Sequence, residues 1–320
     1  MANANQILSL IQSHMSGDDA RFRTIALQIG ATESKAGHTV LAKSIYDAVN
    51  TKAIRMLNLR QVHGEVDEML VLENKNAHLS DLVVSADVQF VIERVLAEYE
   101  QRDRLLRHNL ANRSKLMLHG PSGTGKTMSA SVLATELGLP LYVVRLEKVI
   151  TKFMGETGLK LSKIFDFIRD VPGVFLFDEF DAIGAQRGAD NEVGEQRRIL
   201  NTFLQLLDGQ FPNSIIIAAT NAIGSIDAAL FRRFDEVMEY QLPTRDDVEK
   251  LVKKTTGRNT IILTNRFVEL SGGLSHADIC NICVDALKNE LLYNMPIDDK
   301  ALELLAERWQ TKSKTSQMVG

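Results

Sequence analysis

Cysteine is scarce in this chain: 320 residues contain two, Cys280 and Cys283. They stand three apart in a stretch that reads as a helix, so a disulfide framework is excluded and packing has to build the fold. Proline is equally rare at six, and glycine, at 20, shows no repeat, which rules out a collagenous or low-complexity chain. Aromatics reach only 6%, with one Trp, against 45% hydrophobic residues overall, so the interior is mainly aliphatic. There is no basic excess. Lys and Arg number 37 against 41 Asp and Glu, a net charge of −4, which argues against nucleic acid as the main ligand. The longest apolar runs, Ile215 to Ala219 and Val174 to Phe177, fall far short of the roughly 20 residues a bilayer span requires. The opening MANANQILSLIQ has no basic residue ahead of its apolar stretch and does not read as a secretory leader. A cytoplasmic protein with no membrane role is expected.

What the chain does have divides it into parts. Roughly 100 to 200 residues per domain leaves room for about two domains and a small appendage. Apolar residues recur at helical spacing near the start: Ile7, Leu8, Ile11 and Met15, then Phe22, Ile25, Ala26 and Ile29, then Val40, Leu41, Ile45 and Val49. Residues 1–50 therefore read as a helical N-terminal element. The polar, weakly periodic stretch 51–80 reads as a connector. From 81 to 243 short apolar strands alternate with helical segments: 115–118, 141–144, 174–177, 215–219 and 237–240. Such near-continuous apolar strands predict a five-stranded parallel sheet covered by helices on both faces. Strand signals then stop, and 244–320 reads as helices only.

The chemistry lies at the strand ends. Gly120, Pro121, Ser122, Gly123, Thr124, Gly125, Lys126 and Thr127 spell G-x-x-x-x-G-K-T between a strand and a helix. Glycines let the backbone curl so that successive N–H groups face phosphate oxygens; Lys126 reaches the outer phosphates, and Thr127 offers a hydroxyl to Mg2+. The run VFLFDEFDAIG delivers Asp178 and Glu179 at the carboxyl end of a buried strand, where ligands bind in such sheets. Asp178 suits Mg2+ through its water shell, and Glu179 suits activation of the attacking water. A third strand, IIIAATN, ends in Asn221, which can hold the water or γ-phosphate without adding charge. Arg232 and Arg233 follow as an adjacent pair, readable either as surface ion pairs or as transition-state fingers supplied to a neighbouring subunit.

GPSGTGKT, FLFDEFDAIGAQR, AATN, the RRFD segment and GLSHAD occur in the order and spacing of the AAA family of ATPases, and over about residues 79–310 the chain resembles that family. The resemblance implies a P-loop NTPase core with a five-stranded sheet, a helical C-terminal lid, and ATP with Mg2+ bound between the subunits of a ring, usually a hexamer. It implies a nucleotide-contacting set of Gly120 through Met128 together with His276. Catalytic roles fall to Lys126, Asp178, Glu179, Asn221, Arg232 and Arg233. The family's usual G-x-S-G-A-D becomes GLSHAD here, so His276 stands in place of a glycine and an altered turn near the adenine or ribose is expected. The segment KFMGETG resembles a substrate-threading pore loop, with Lys152, Phe153 and Met154 as its contact residues.

His276, Cys280 and Cys283 fall on one helical face, yet a structural zinc site normally takes four ligands and no further cysteine exists. A metal there is disfavoured. Two functions stay open: an ATP-driven remodeller of protein partners, or a nucleotide-gated scaffold controlling a separate effector. The short N-terminal element with one ATPase module is similar to small bacterial AAA proteins of two-gene cassettes, some beside a subtilisin-like serine protease. There is no H-E-x-x-H, so any proteolysis belongs to a separately encoded partner.

Overall fold

The computed structural model describes residues 4–15, 19–35, 38, 66–73, 76–151, 155–184, 190–225, 228–258, 261 and 263–319. The chain divides into two compact units, 1–67 and 68–320. In the first, helices α1 (Ala4–Met15) and α2 (Asp19–Lys35) pack together. α2 buries Ile25, Ala26 and Ile29, one stripe at helical spacing, whereas α1 leaves Ile7, Leu8 and Ile11 exposed. The apolar residues from Val40 to Val49 lie outside the described residues.

The second unit is built on a six-stranded sheet. β2 (Lys115–His119), β3 (Leu141–Val144), β4 (Val174–Phe177), β5 (Ile215–Thr220) and β6 (Glu236–Glu239) are parallel, in the order β3-β4-β5-β2-β6. β1 (Leu70–Glu73) adds a sixth strand antiparallel to β3, with Leu70 opposite Val144 and Glu73 opposite Leu141. The expected five-stranded sheet is thus extended at one edge, inside the stretch read as connector. Met69 to Leu72 is a short apolar run, masked in the sequence by the polar residues on either side, Asp67 and Glu68 before it and Glu73 to Asn76 after it; within the strand only Leu70 is buried. Edge position supplies its pairing.

Every residue of β4 and β5 is buried, as expected for central parallel strands with both faces covered. On one face α3 (Ala86–Glu100) presents Val88, Ile92, Val95 and Tyr99, spaced by four, three and four residues, to the sheet core. Elsewhere Phe165 and Phe177 each meet Phe203 edge-on at 5.4 Å, so the few aromatics cluster where they fill most volume. A 3-10 turn, Leu79–Asp81, and the short helix α4 (Arg102–Arg107) flank α3.

Between the strands run α5 (Lys126–Glu136), α6 (Leu146–Val149), α7 (Glu156–Asp170), α8 (Asp181–Gly184), α9 (Asp190–Leu207) and α10 (Ala228–Phe231). After β6 come α11 (Arg245–Thr256), α12 (Asn265–Ser271), α13 (His276–Tyr293) and α14 (Asp299–Val319), which share a second core around Val252, Phe267, Ile279, Ile282, Cys283 and Leu302. Capping boxes fix two of these helix starts. Thr244 pairs with Asp247 at α11 and Ser275 with Asp278 at α13, each satisfying backbone N–H groups that a helix leaves free. Among the described residues no helix is long and apolar enough to cross a membrane.

Candidate nucleotide site

The phosphate loop forms where β2 stops and α5 begins. Gly120, Gly123 and Gly125 all take positive φ, at 141°, 74° and 103°. At Gly123 this is joined by close approach: a Cβ would lie 2.5 Å from Ser275 Oγ and 3.1 Å from the Ala277 methyl. The Gly123 carbonyl accepts from the Ala277 N–H at 3.0 Å, so the start of α13 rests directly on the loop. Gly123→Ala places a side chain in left-handed backbone and displaces a capping hydroxyl, and is expected to weaken ATP binding by about tenfold or more. Calorimetric titration of the folded variant checks this.

Lys126 is 6% exposed and donates through Nζ to the Gly120 and Pro121 carbonyls, both at 2.7 Å. Burial lowers its pKa, with Asp178 opposing the shift. The Thr127 hydroxyl donates to Asp178 Oδ2 at 2.8 Å, and Asp178 Oδ1 accepts from the Glu179 N–H at 2.9 Å. Glu179 is exposed and left-handed, φ 51°, a conformation that is rare outside glycine and asparagine. The turn holding it is tied to β5, because Phe180 N–H donates to the Ala219 carbonyl and Thr220 Oγ1 to Asp181. Asn221 follows at the end of β5.

These groups meet in one cavity of about 560 Å3. Ser122 through Met128, Asp178, Glu179, Asn221 and His276 lie on its wall. Gly120 and Pro121 do not, and contribute their carbonyls to Lys126 instead. Arg232 and Arg233 are also absent from the wall; both are exposed, and Arg233 pairs with Asp208 at 2.7 Å. Lys152, Phe153 and Met154 lie outside the described residues.

Residues outside the strand-end motifs complete the wall. Asp81, Leu82 and Val83 reach it from the segment before α3, and Leu251, Lys254, Thr255, Ala277 and Cys280 from the helical lid. Lys254 Nζ donates to the Ser80 carbonyl, drawing α11 onto that segment. His276 needs no altered turn, contrary to expectation: Ser275 caps α13 in extended backbone and His276 is the ordinary first residue of the helix. It is 8% exposed, its Nδ1 is buried without a partner, and burial lowers its pKa against the pull of Asp247. Cys280 accepts from Thr255 Oγ1 at 3.6 Å, while Cys283 turns into the lid core, its thiol pushed up to about 12 by burial. Among the described residues no three His, Cys, Asp or Glu side chains are placed to hold a metal.

The cavity suits a nucleoside polyphosphate. A buried cation and the start of an 11-residue helix match phosphate charge, and Leu82, Val83 and Leu251 supply the apolar wall that a base requires.

The comparisons with known proteins agree with that reading. Residues 116–242 match the model of the ATPase family associated with various cellular activities (AAA). The AAA family ATPase y4kL of Sinorhizobium fredii (strain NBRC 101917 / NGR234) is 33% identical over 299 residues, covering 90% of this chain and 89% of that protein. A proteasome-activating nucleotidase of Saccharolobus islandicus (strain M.14.25 / Kamchatka #1) is 39% identical over 182 residues, 53% of this chain and 46% of that one. The chain thus spans about half the length of that relative. The FIGL-1 AAA domain superposes with a TM-score of 0.59 at 21% identity, over 77% of this chain and 88% of that domain, a likeness of fold. With a relative matched along nearly its whole length and a cavity at the strand ends lined by the G-x-x-x-x-G-K-T loop, the chain belongs to the AAA family and is an ATP hydrolase.

Proposed function

We propose that the chain assembles into a ring, with six copies favoured, and couples ATP hydrolysis between neighbouring copies to the remodelling of a protein partner. In this reading residues 81–243 act as the ATPase domain and 244–320 as its lid. Lys126 and the loop N–H groups bind the phosphates, Glu179 accepts the proton of the attacking water, and Asn221 orients that water. Thr127, directly, and Asp178, through water, would hold Mg2+, which supplies neutralisation of phosphate charge. His276 lies against the nucleoside, and Lys152, Phe153 and Met154 contact the partner polypeptide.

One observation carries the ring: Arg232 is exposed, has no partner among the described residues, and is absent from the wall of its own nucleotide cavity. A guanidinium so placed can serve the phosphates of another copy. Lid residues Leu291, Leu292 and Tyr293, 82%, 70% and 66% exposed, add an apolar surface of the kind that association covers. A relative named for activating a proteasome supports a protein as the partner, a separately encoded protease included.

The two arginines should separate. Arg232→Ala is expected to keep ATP binding and lose turnover by roughly 10^3-fold. Arg233→Ala breaks a half-exposed pair with Asp208 and should cost much less. Mixing Arg232→Ala with Glu179→Gln protein should restore part of the activity, since some interfaces then join an intact arginine to an intact glutamate. No recovery despite demonstrated subunit exchange rejects action between copies. Light scattering with ATP and Mg2+ should find about six times 35.6 kDa.

A further inference from the structure

Behind the phosphate loop lies a buried polar chain that none of the motifs accounts for. Tyr240 follows β6 directly; it is 2% exposed, and its hydroxyl stands 2.7 Å from Ser129 Oγ, itself in a residue 1% exposed. Ser129 Oγ donates in turn to the Gly125 carbonyl at 3.1 Å, which also accepts the Ser129 N–H at 2.9 Å. The direction of the chain is fixed by proton count. Ser129 has one hydroxyl proton and gives it to Gly125, so Tyr240 is the donor to Ser129. Burial raises the tyrosine pKa further, and the hydroxyl keeps its proton.

The Gly125 carbonyl shares a planar trans peptide with the Lys126 N–H, so the two point in opposite directions. Two donors from one turn down α5 hold the carbonyl along the helix, and the Lys126 N–H is thereby aimed out of the helix end, at the phosphates. Tyr240 also backs the other end of the loop. Its N–H donates to the His119 carbonyl at 2.7 Å, and its own carbonyl fills the space a Cβ on Gly120 would need.

We propose that Tyr240 is a positioning residue for phosphate binding, acting through Ser129 on the Gly125–Lys126 peptide while its backbone braces Gly120. It touches no substrate. The proposal rests on the nucleotide reading of the cavity and adds to it a fixed element behind the loop. Because Tyr240 joins β6 to the lid, the aim of the loop is set by the same residue from which the lid departs.

The test uses Tyr240→Phe, which keeps the ring in the core and removes only the hydroxyl. Its melting temperature should fall by no more than about 4 °C. ATP should bind about three- to tenfold more weakly, with KM raised and kcat retained, because the Lys126 N–H serves ground and transition states alike. Ser129→Ala should reproduce that shift, and the double variant should add nothing, since both break one chain. Unchanged KM in folded Tyr240→Phe overturns the proposal, as does a fully additive double variant, or a loss of kcat that tracks melting temperature at constant KM. Failure of the wild-type protein to bind ATP would instead sink the nucleotide reading; normal wild-type binding beside an indifferent Tyr240→Phe sinks the positioning role alone.

Discussion

Lys126→Ala should abolish measurable ATP binding while leaving the protein folded. Nζ is held by two carbonyls, from Gly120 and Pro121, at a site where burial already disfavours the cation. Removing a buried charge takes its desolvation cost with it, so the ligand-free protein has little to lose. ATP loses the only lysine on the phosphate-loop part of the cavity wall. At about 1.5 to 3 kcal/mol for each hydrogen bond to a charged group, two such bonds correspond to a weakening on the order of 10^2-fold or more. Calorimetry on the variant, with a melting curve beside it, decides the point. Unchanged affinity would remove Lys126 from the phosphate site, and a collapse of the melting transition would show that its carbonyl contacts hold the loop together. The pH dependence has a definite sign. A lysine whose pKa is lowered loses its charge earlier in an alkaline titration than a free one, so affinity is full below the shifted pKa and declines as pH rises through it.

The parts of this protein legible in its sequence are those with a local signature. β4 and β5 declare themselves as apolar runs because every residue is buried, and β2 because its three central residues are, while GPSGTGKT and FLFDEF stand out because their residue types at strand ends suit phosphate binding and water activation. β1 is harder to read: its run, Met69 to Leu72, is short, set in a polar stretch and buried only at Leu70 within the strand, and the strand is fixed by antiparallel pairing with β3, which is tertiary. Much of the cavity wall is illegible for a related reason. Leu82, Val83, Leu251 and Thr255 reach the site through packing of the lid and the segment before α3, which is tertiary and leaves no motif. His276 is a different case, because the signal was present. Ser275-x-x-Asp278 has the spacing of a capping box, which places the next residue first in a helix and removes any need for a glycine-like turn. Cys280 and Cys283, three apart on α13, part company for the same geometric reason that unites them, one facing the cavity and the other the core.

Glu179→Gln should bind ATP with near-normal affinity and hydrolyse it about 10^2- to 10^4-fold more slowly. The two adjacent carboxylates are already divided by their surroundings. Asp178 is engaged on both oxygens, by the Thr127 hydroxyl and by the Glu179 N–H, whereas Glu179 is exposed and has no side-chain partner among the described residues. The free carboxylate is the one able to take a proton from water. Glutamine conserves its size and, having the same backbone preferences, leaves the left-handed turn at φ 51° and its Asp178 bond as they were. What disappears is the capacity to accept a proton, so kcat falls while binding stands. The strain at this position sharpens the comparison. Glu179→Gly relieves the backbone yet removes the carboxylate, and should be as slow as the glutamine variant although more stable locally. Equal loss in both would assign the defect to the missing base, whereas substantial activity in Glu179→Gly would mean that the left-handed turn, and not the carboxylate, limits turnover. Near-normal hydrolysis by Glu179→Gln would reject Glu179 as the base outright and move the search to Asp181, the next carboxylate along the turn, which Thr220 holds at 3.1 Å.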